Sequence, residues 1–261
     1  MGTQRLGTLP DTAPWRRVVA LIADEAGVAA VAAAVTEAAV AGLDLARGDE
    51  GLVYSTLLLA RLVRAARQEE FTASVRGLGM HVPDDAGVFD LAAAFTEAVD
   101  KHLWKARGRT DLGEMAQLAA VESLTRLLGE RSARLHETTP AEVREAAREL
   151  STPRGFGALA HDFFARFTQR FLTYHLGREL SLHVGGNGCF VDPDEHNHFV
   201  ERLATHCAEA AVVMRRLAGD WYSKALSPVG KGLVLPSARG FVNLCLEKLQ
   251  KELRTRGARD G

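Results

Sequence analysis

Apolar residues recur along the chain at i, i+3, i+4 and i+7, the period of a helix with one buried face, and strand-like alternation is nearly absent. Residues that start and stop helices stand between these periodic runs. A first helix is expected from Pro14, after Thr12, to Gly27, and an Ala-rich second one to about Ala46. Asp49 is placed to cap a helix reaching Arg67, with Leu52, Thr56, Leu59, Leu62 and Val63 on one face. A short piece over 69–76 stops at Gly77 and Gly79. Residues 88–107 carry the stripe Phe89, Ala92, Phe95, Val99, Leu103. Asp111 and Glu114 have capping-box spacing ahead of a helix ending near Gly129. Thr139-Pro140-Ala141-Glu142 combines a cap oxygen, a proline at the first helical position and a glutamate that reaches back.

That helix ends around Leu150, and residues 151–155 form a break. Beyond it, 156–180 is studded with Phe156, Phe163, Phe164, Phe167, Phe171 and Tyr174, which predicts a largely buried helix. A glycine-rich connection follows at 184–188. Asp192-Pro193-Asp194-Glu195 then opens a long helix with the stripe Phe199, Leu203, Cys207, Ala210, Met214, Leu217, Trp221. The last helix is expected from Ser237, presenting Phe241, Cys245, Leu249 and Leu253. No fixed-period repeat occurs. The pattern predicts an all-α, multi-helix bundle of about eight to ten helices, mostly antiparallel neighbours.

Composition fits a folded chain: 47% of the 261 residues are apolar and 25% charged. The formal net charge of -1 gives no global pull toward nucleic acid or a membrane surface. The two sides of the break differ, however. Residues 1–150 hold 17 Lys+Arg against 22 Asp+Glu, and residues 151–261 hold 15 against 11. The chain reads as a mildly acidic N-terminal region, 1–150, and a mildly basic, His-rich C-terminal region, 151–261, in one continuous domain or two. Three scattered cysteines, Cys189, Cys207 and Cys245, do not make a disulfide framework. With no apolar core to its first residues and no long apolar run, the chain is expected to be cytoplasmic and not membrane-bound.

Six of the nine histidines fall in the segment 161–206. His196 and His198 at a helix start, with Asp194, His183 and Cys189 close in sequence, offer the nitrogen, oxygen and sulfur donors that zinc or another divalent metal takes. Asp194 and His198 share a helix face. His161-Asp162, within Gly157-Ala-Leu-Ala-His-Asp-Phe-Phe164, resembles the paired metal ligands of the HD phosphohydrolases. That resemblance would enlist His136 and Asp220 as the remaining ligands. Arginine followed by histidine after four to six residues resembles the motif of the HEPN ribonucleases, small helical proteins of bacterial conflict systems. Among the pairs with this spacing, Arg178 with His183 is best placed, and Arg170 with His175 is another.

Residues 215–259 contain ten Lys+Arg and three acidic residues, with Trp221, Tyr222 and Phe241 interleaved, a composition suited to nucleic acid. It equally suits the solvated faces of amphipathic helices. No nucleophile elbow or cysteine-hydrolase flank occurs. The first expectation is therefore a non-enzymatic helical interaction or accessory subunit of a bacterial-type multiprotein system, binding another protein or itself, with no cofactor. The alternatives are a metal-dependent phosphohydrolase or HEPN-like ribonuclease built on 161–206, and a nucleic-acid-binding module.

Overall fold

The computed structural model describes residues 13–24, 26, 28–106, 108–131, 139–182 and 193–260. Among them there is no strand, and the fold is an all-α multi-helix bundle. Its helices are α1 (Ala13–Ala23), α2 (Val28–Leu43), α3 (Glu50–Ala65), α4 (Phe71–Gly77), α5 (Val88–Ala106), α6 (Asp111–Arg131), α7 (Pro140–Leu150), α8 (Pro153–Leu182), α9 (Pro193–Ala210), α10 (Met214–Leu226) and α11 (Leu235–Asp260). A 3-10 turn, Ala211–Val213, joins α9 to α10 without leaving the right-handed helical region.

Capping chemistry explains several of these boundaries. Asp49 accepts from the Leu52 NH at 2.9 Å and starts α3 as expected. Thr139 and Glu142 form both arms of a capping box at α7. At α6 the expectation is corrected: the Thr110 hydroxyl, not Asp111, accepts from the Gly113 NH at 2.8 Å, which leaves Asp111 in the first turn. The break at 151–155 proves to be a tight corner. Thr152 accepts from the Gly155 NH at 2.9 Å and caps α8, so Pro153 is its first residue and the helix begins three positions earlier than the phenylalanines suggest. A Cβ on Gly155 would lie 2.2 Å from the Glu149 carbonyl oxygen, so only glycine fits this corner.

The thirty-residue α8 lies at the centre, packed against α6, α7, α9 and α10, while α11 closes over α2 and α3. Buried apolar residues from Trp15 to Leu253 form one contiguous cluster that includes side chains from both sides of the corner. Phe156, Phe163, Phe164, Phe167 and Phe171 are all buried in it, as their spacing predicts. Tyr174 is not: it is exposed, and its hydroxyl donates to Asp111 at 3.0 Å. Phe89 is likewise exposed, because its neighbour Val88 takes the inward position at the start of α5.

Two helix pairs approach so closely that glycine is required between them. A Cβ on Gly51 of α3 would stand 2.4 Å from the Gly113 Cα of α6, and one on Gly157 of α8 would stand 2.2 Å from the Arg215 carbonyl oxygen of α10. Gly219 of α10 faces the Pro153 carbonyl in the same way, at 2.8 Å. The α8–α10 contact therefore buries the face of α10 that carries Gly219, with Met214, Ala218 and Tyr222 inward. This corrects the expected stripe. Leu217 and Trp221 stand beside this contact, half-buried, on the flank turned toward α11.

Candidate functional site

His161 and Asp162 lie on the outer side of α8, and both are committed to protein partners. His161 Nε2 donates to the Ala208 carbonyl at 2.9 Å, which turns its Nδ1 lone pair toward Arg215 Nη2 at 3.5 Å. Burial, aided by the Arg215 charge, holds the imidazole below its ordinary pKa despite the bond to Ala208. Asp162 Oδ1 accepts from Arg126 Nη2 and Oδ2 from Arg166 Nε, each at 2.8 Å. Burial pushes this carboxyl upward, but the bonds from Arg166 and Arg126 outweigh it and hold the pKa below the usual range. The chain of charges continues through Arg166 to Glu122 and from Glu122 to Arg170, at 3.1 and 2.7 Å, while Arg126 also pairs with Glu130. It clamps α6 to α8. A metal ion at His161-Asp162 would have to displace these partners.

The other candidates are dispersed or lie outside the described residues. His183, Cys189 and His136 are outside them, as are the side chains of Arg178, His175 and His196. Asp194 and His198 are exposed on the first turns of α9. Asp220 is on α10, at the groove described below, and Arg170 is at the α6–α8 clamp. Among the described residues no three His, Cys, Asp or Glu side chains converge as a metal site would require. Cys207 and Cys245 are buried, and burial pushes the Cys207 thiol up to about 12 and that of Cys245 well above its usual value, so both are packing residues.

One cluster was invisible to sequence reasoning. Glu50 at the start of α3 accepts from His102 of α5 at 2.9 Å and from Arg239 of α11 at 2.6 Å, and Arg239 also donates to the Gly48 carbonyl. The Tyr54 ring stacks on His102 with centroids 3.7 Å apart. These residues are up to 191 positions apart, and no local spacing announces them. The cluster joins three helices at one end of the bundle.

The clefts have different characters. A cleft of about 550 Å³ runs along α6 and α8, lined by Asp111, Glu114, Glu122, Arg166, Arg170 and Tyr174 among others, and its arginines are already paired with carboxylates. A groove of about 470 Å³ runs between α10 and α11. Its floor is aromatic: Trp221 stacks on Phe241 with centroids 4.4 Å apart and planes 10° from parallel, and the indole NH donates to Ser237 Oγ at 3.1 Å. Leu217, Val234 and Leu244 extend the apolar surface, and Lys224 and Lys231 stand on the rim.

The turn joining α10 to α11 fixes one end of this groove. Gly230 donates to the Ser227 carbonyl at 2.8 Å, Gly232 donates to the Ala225 carbonyl at 3.2 Å, and Arg61 of α3 holds the Leu233 carbonyl at 2.9 Å. Gly232 has φ +74, the left-handed conformation that glycine adopts without strain. At the tip of this pinned turn Val229 is 96% exposed, with Leu226, Val234 and Leu244 each more than a third exposed nearby in sequence.

No helix among the described residues is long and apolar enough to cross a membrane. No protein-family model matches the chain, and neither does any curated protein or solved structure.

Proposed function

We propose that this chain is a non-enzymatic helical interaction subunit, an accessory component of a multiprotein system, and that its binding face is the α10–α11 end of the bundle. The observation that carries this reading is Val229. A valine 96% exposed at the tip of a turn held by backbone hydrogen bonds and by Arg61 gains nothing from its own fold. With Leu226, Val234 and Leu244 it makes four exposed large hydrophobics between residues 226 and 244, beside a groove with an aromatic floor. Rigid apolar groups at a concave surface are what a partner's side chains bury with little ordering cost.

The test is site-specific photo-crosslinking in the cells that make the protein. A benzoylphenylalanine at Val229 is expected to give a discrete adduct that Leu244→Asp removes. The same probe at Glu145, exposed on α7, is expected to give none. Identical adducts from both positions, or no adduct from Val229, would defeat the proposal.

A further inference from the structure

Gly240 is a glycine without an internal reason. It lies in the second turn of α11, is exposed, and lines the groove, yet a Cβ built on it meets no atom within 4 Å. Gly51, Gly157 and Gly219 each face a backbone atom of a neighbouring helix less than 3 Å from where a Cβ would stand, so the fold itself demands those three. Glycine is the least favourable residue for a helix interior apart from proline, and close approach of another backbone is one circumstance that calls for it. At Gly240 that backbone is not supplied by the chain's own described residues.

The groove's charge points the same way. Lys224 and Lys231 have no carboxylate partner among the described residues, and Asp220 is the single acid in the lining. The first turn of α11, which opens at the groove, carries no acidic side chain to offset the positive end of the helix. The lining residues of α10 run from Leu217 to Lys224, about 10 Å of helix, which matches roughly two turns of a second helix laid alongside. Phe241, 3% exposed, and Trp221, half-buried and stacked on it, make an apolar floor with Leu217, Val234 and Leu244, a surface suited to a partner's apolar side chains.

We propose that the groove between α10 and α11 receives an acidic amphipathic helix of a partner protein. Its apolar side chains lie on Trp221 and Leu244, its backbone passes over Gly240, and its carboxylates meet Lys224 and Lys231. The inference rests on the reading of the chain as a protein-binding subunit and adds the chemistry of what is bound.

The experiment pans a displayed library of random peptides, each about 12 residues or three helical turns long, on the full chain. Enriched peptides are then synthesised with a fluorescein label and titrated by fluorescence anisotropy against the native chain, Gly240→Trp, and the double variant Lys224→Glu, Lys231→Glu. Circular dichroism and thermal unfolding of each variant establish that it is folded. Enriched peptides are expected to combine Asp or Glu with apolar residues at i, i+3 or i+4. Gly240→Trp, whose side chain enters open space, is expected to keep its fold and lose at least roughly tenfold in affinity, as is the lysine double variant. If acidic peptides bind Gly240→Trp as tightly as the native chain, the groove assignment is overturned while the protein-binding reading stands. If no peptide is enriched and a fluorescein-labelled single-stranded RNA binds in a Gly240-dependent, salt-sensitive way, both are overturned.

Discussion

Alanine in place of Gly157 tests the close contact between α8 and α10. Its Cβ would lie 2.2 Å from the Arg215 carbonyl oxygen and 3.1 Å from its carbon. The contact with the oxygen is more than about 1 Å inside the roughly 3.5 Å at which nonbonded heavy atoms rest. The obstruction is backbone, so no rotamer can relieve it; α8 and α10 must separate along their shared face. Overpacking of this kind costs typically 1–3 kcal/mol, and the rigid partner puts the cost near about 3. Replacing glycine by alanine inside a helix returns about 1 kcal/mol, which leaves a net loss of about 2 kcal/mol. For a chain of this size that lowers Tm by roughly 4–8 °C. Gly240→Ala makes the same chemical change where nothing is struck, so it should raise stability by about 1 kcal/mol. Urea unfolding followed by circular dichroism, with unchanged m-values, measures both. Were the two variants to shift stability in the same direction and by similar amounts, the close approach of α8 and α10 would be disproved.

Asp162→Asn removes the carboxylate that Arg126 and Arg166 share, and should cost about 2 kcal/mol, less than a fully buried pair because both arginines retain solvent contact. Because the folded-state pKa of Asp162 is depressed, its contribution is fully present above about pH 4 and is lost as pH falls through that lowered value. Urea midpoints measured between neutral and acid pH should therefore fall less steeply in the Asn variant. His161, also depressed, favours the neutral ring in the fold: its contribution is present above the unfolded value of about 6.5 and is lost on acidification through the folded one. Its imidazole resonances should titrate with a midpoint below about 6.5, and a midpoint at or above that value would contradict the burial of the ring and the facing Arg215 charge. Cys207 and Cys245, with thiols driven upward by burial, should escape alkylation by iodoacetamide at pH 8 in the native protein and react once it is unfolded; peptide mapping by mass spectrometry distinguishes the two states.

Local chemistry was the legible part of this fold. The caps at Asp49 and Thr139 involve residues three apart, so their spacing alone foretells them. The phenylalanines of α8 recur on one face of the helix, so the helical period alone foretells that they are buried together. Phase failed at the start of α5, where two adjacent apolar residues compete and Val88 turns in and Phe89 out, whereas Leu103 is buried, as its place in the stripe predicts, and Trp104 beside it is 80% exposed. The groove was less legible still. Trp221 and Leu217 fall on an apolar periodicity that reads as core, and only the glycine-mediated approach of α8 to α10 sets them aside from it. The histidine cluster drew notice through numbers in a short segment. His161 nevertheless serves a carbonyl, while His102, outside that segment, joins Glu50, Arg239 and Tyr54 through contacts that only the folded chain creates.

The docking of α11 on α2 and α3 has a consequence for synthesis. Arg47 and Asp44, beside the end of α2, bond to Gln250 at 3.0 and 2.8 Å, and Gly48 bonds to Arg239. These partners leave the ribosome 191 to 206 residues later, so the surfaces of α2 and α3 that α11 covers wait, uncovered, while the intervening chain is made. Ribosome-bound chains that stop before Leu235 should expose those surfaces to chaperones, and emergence of α11 should be the event that ends their dependence.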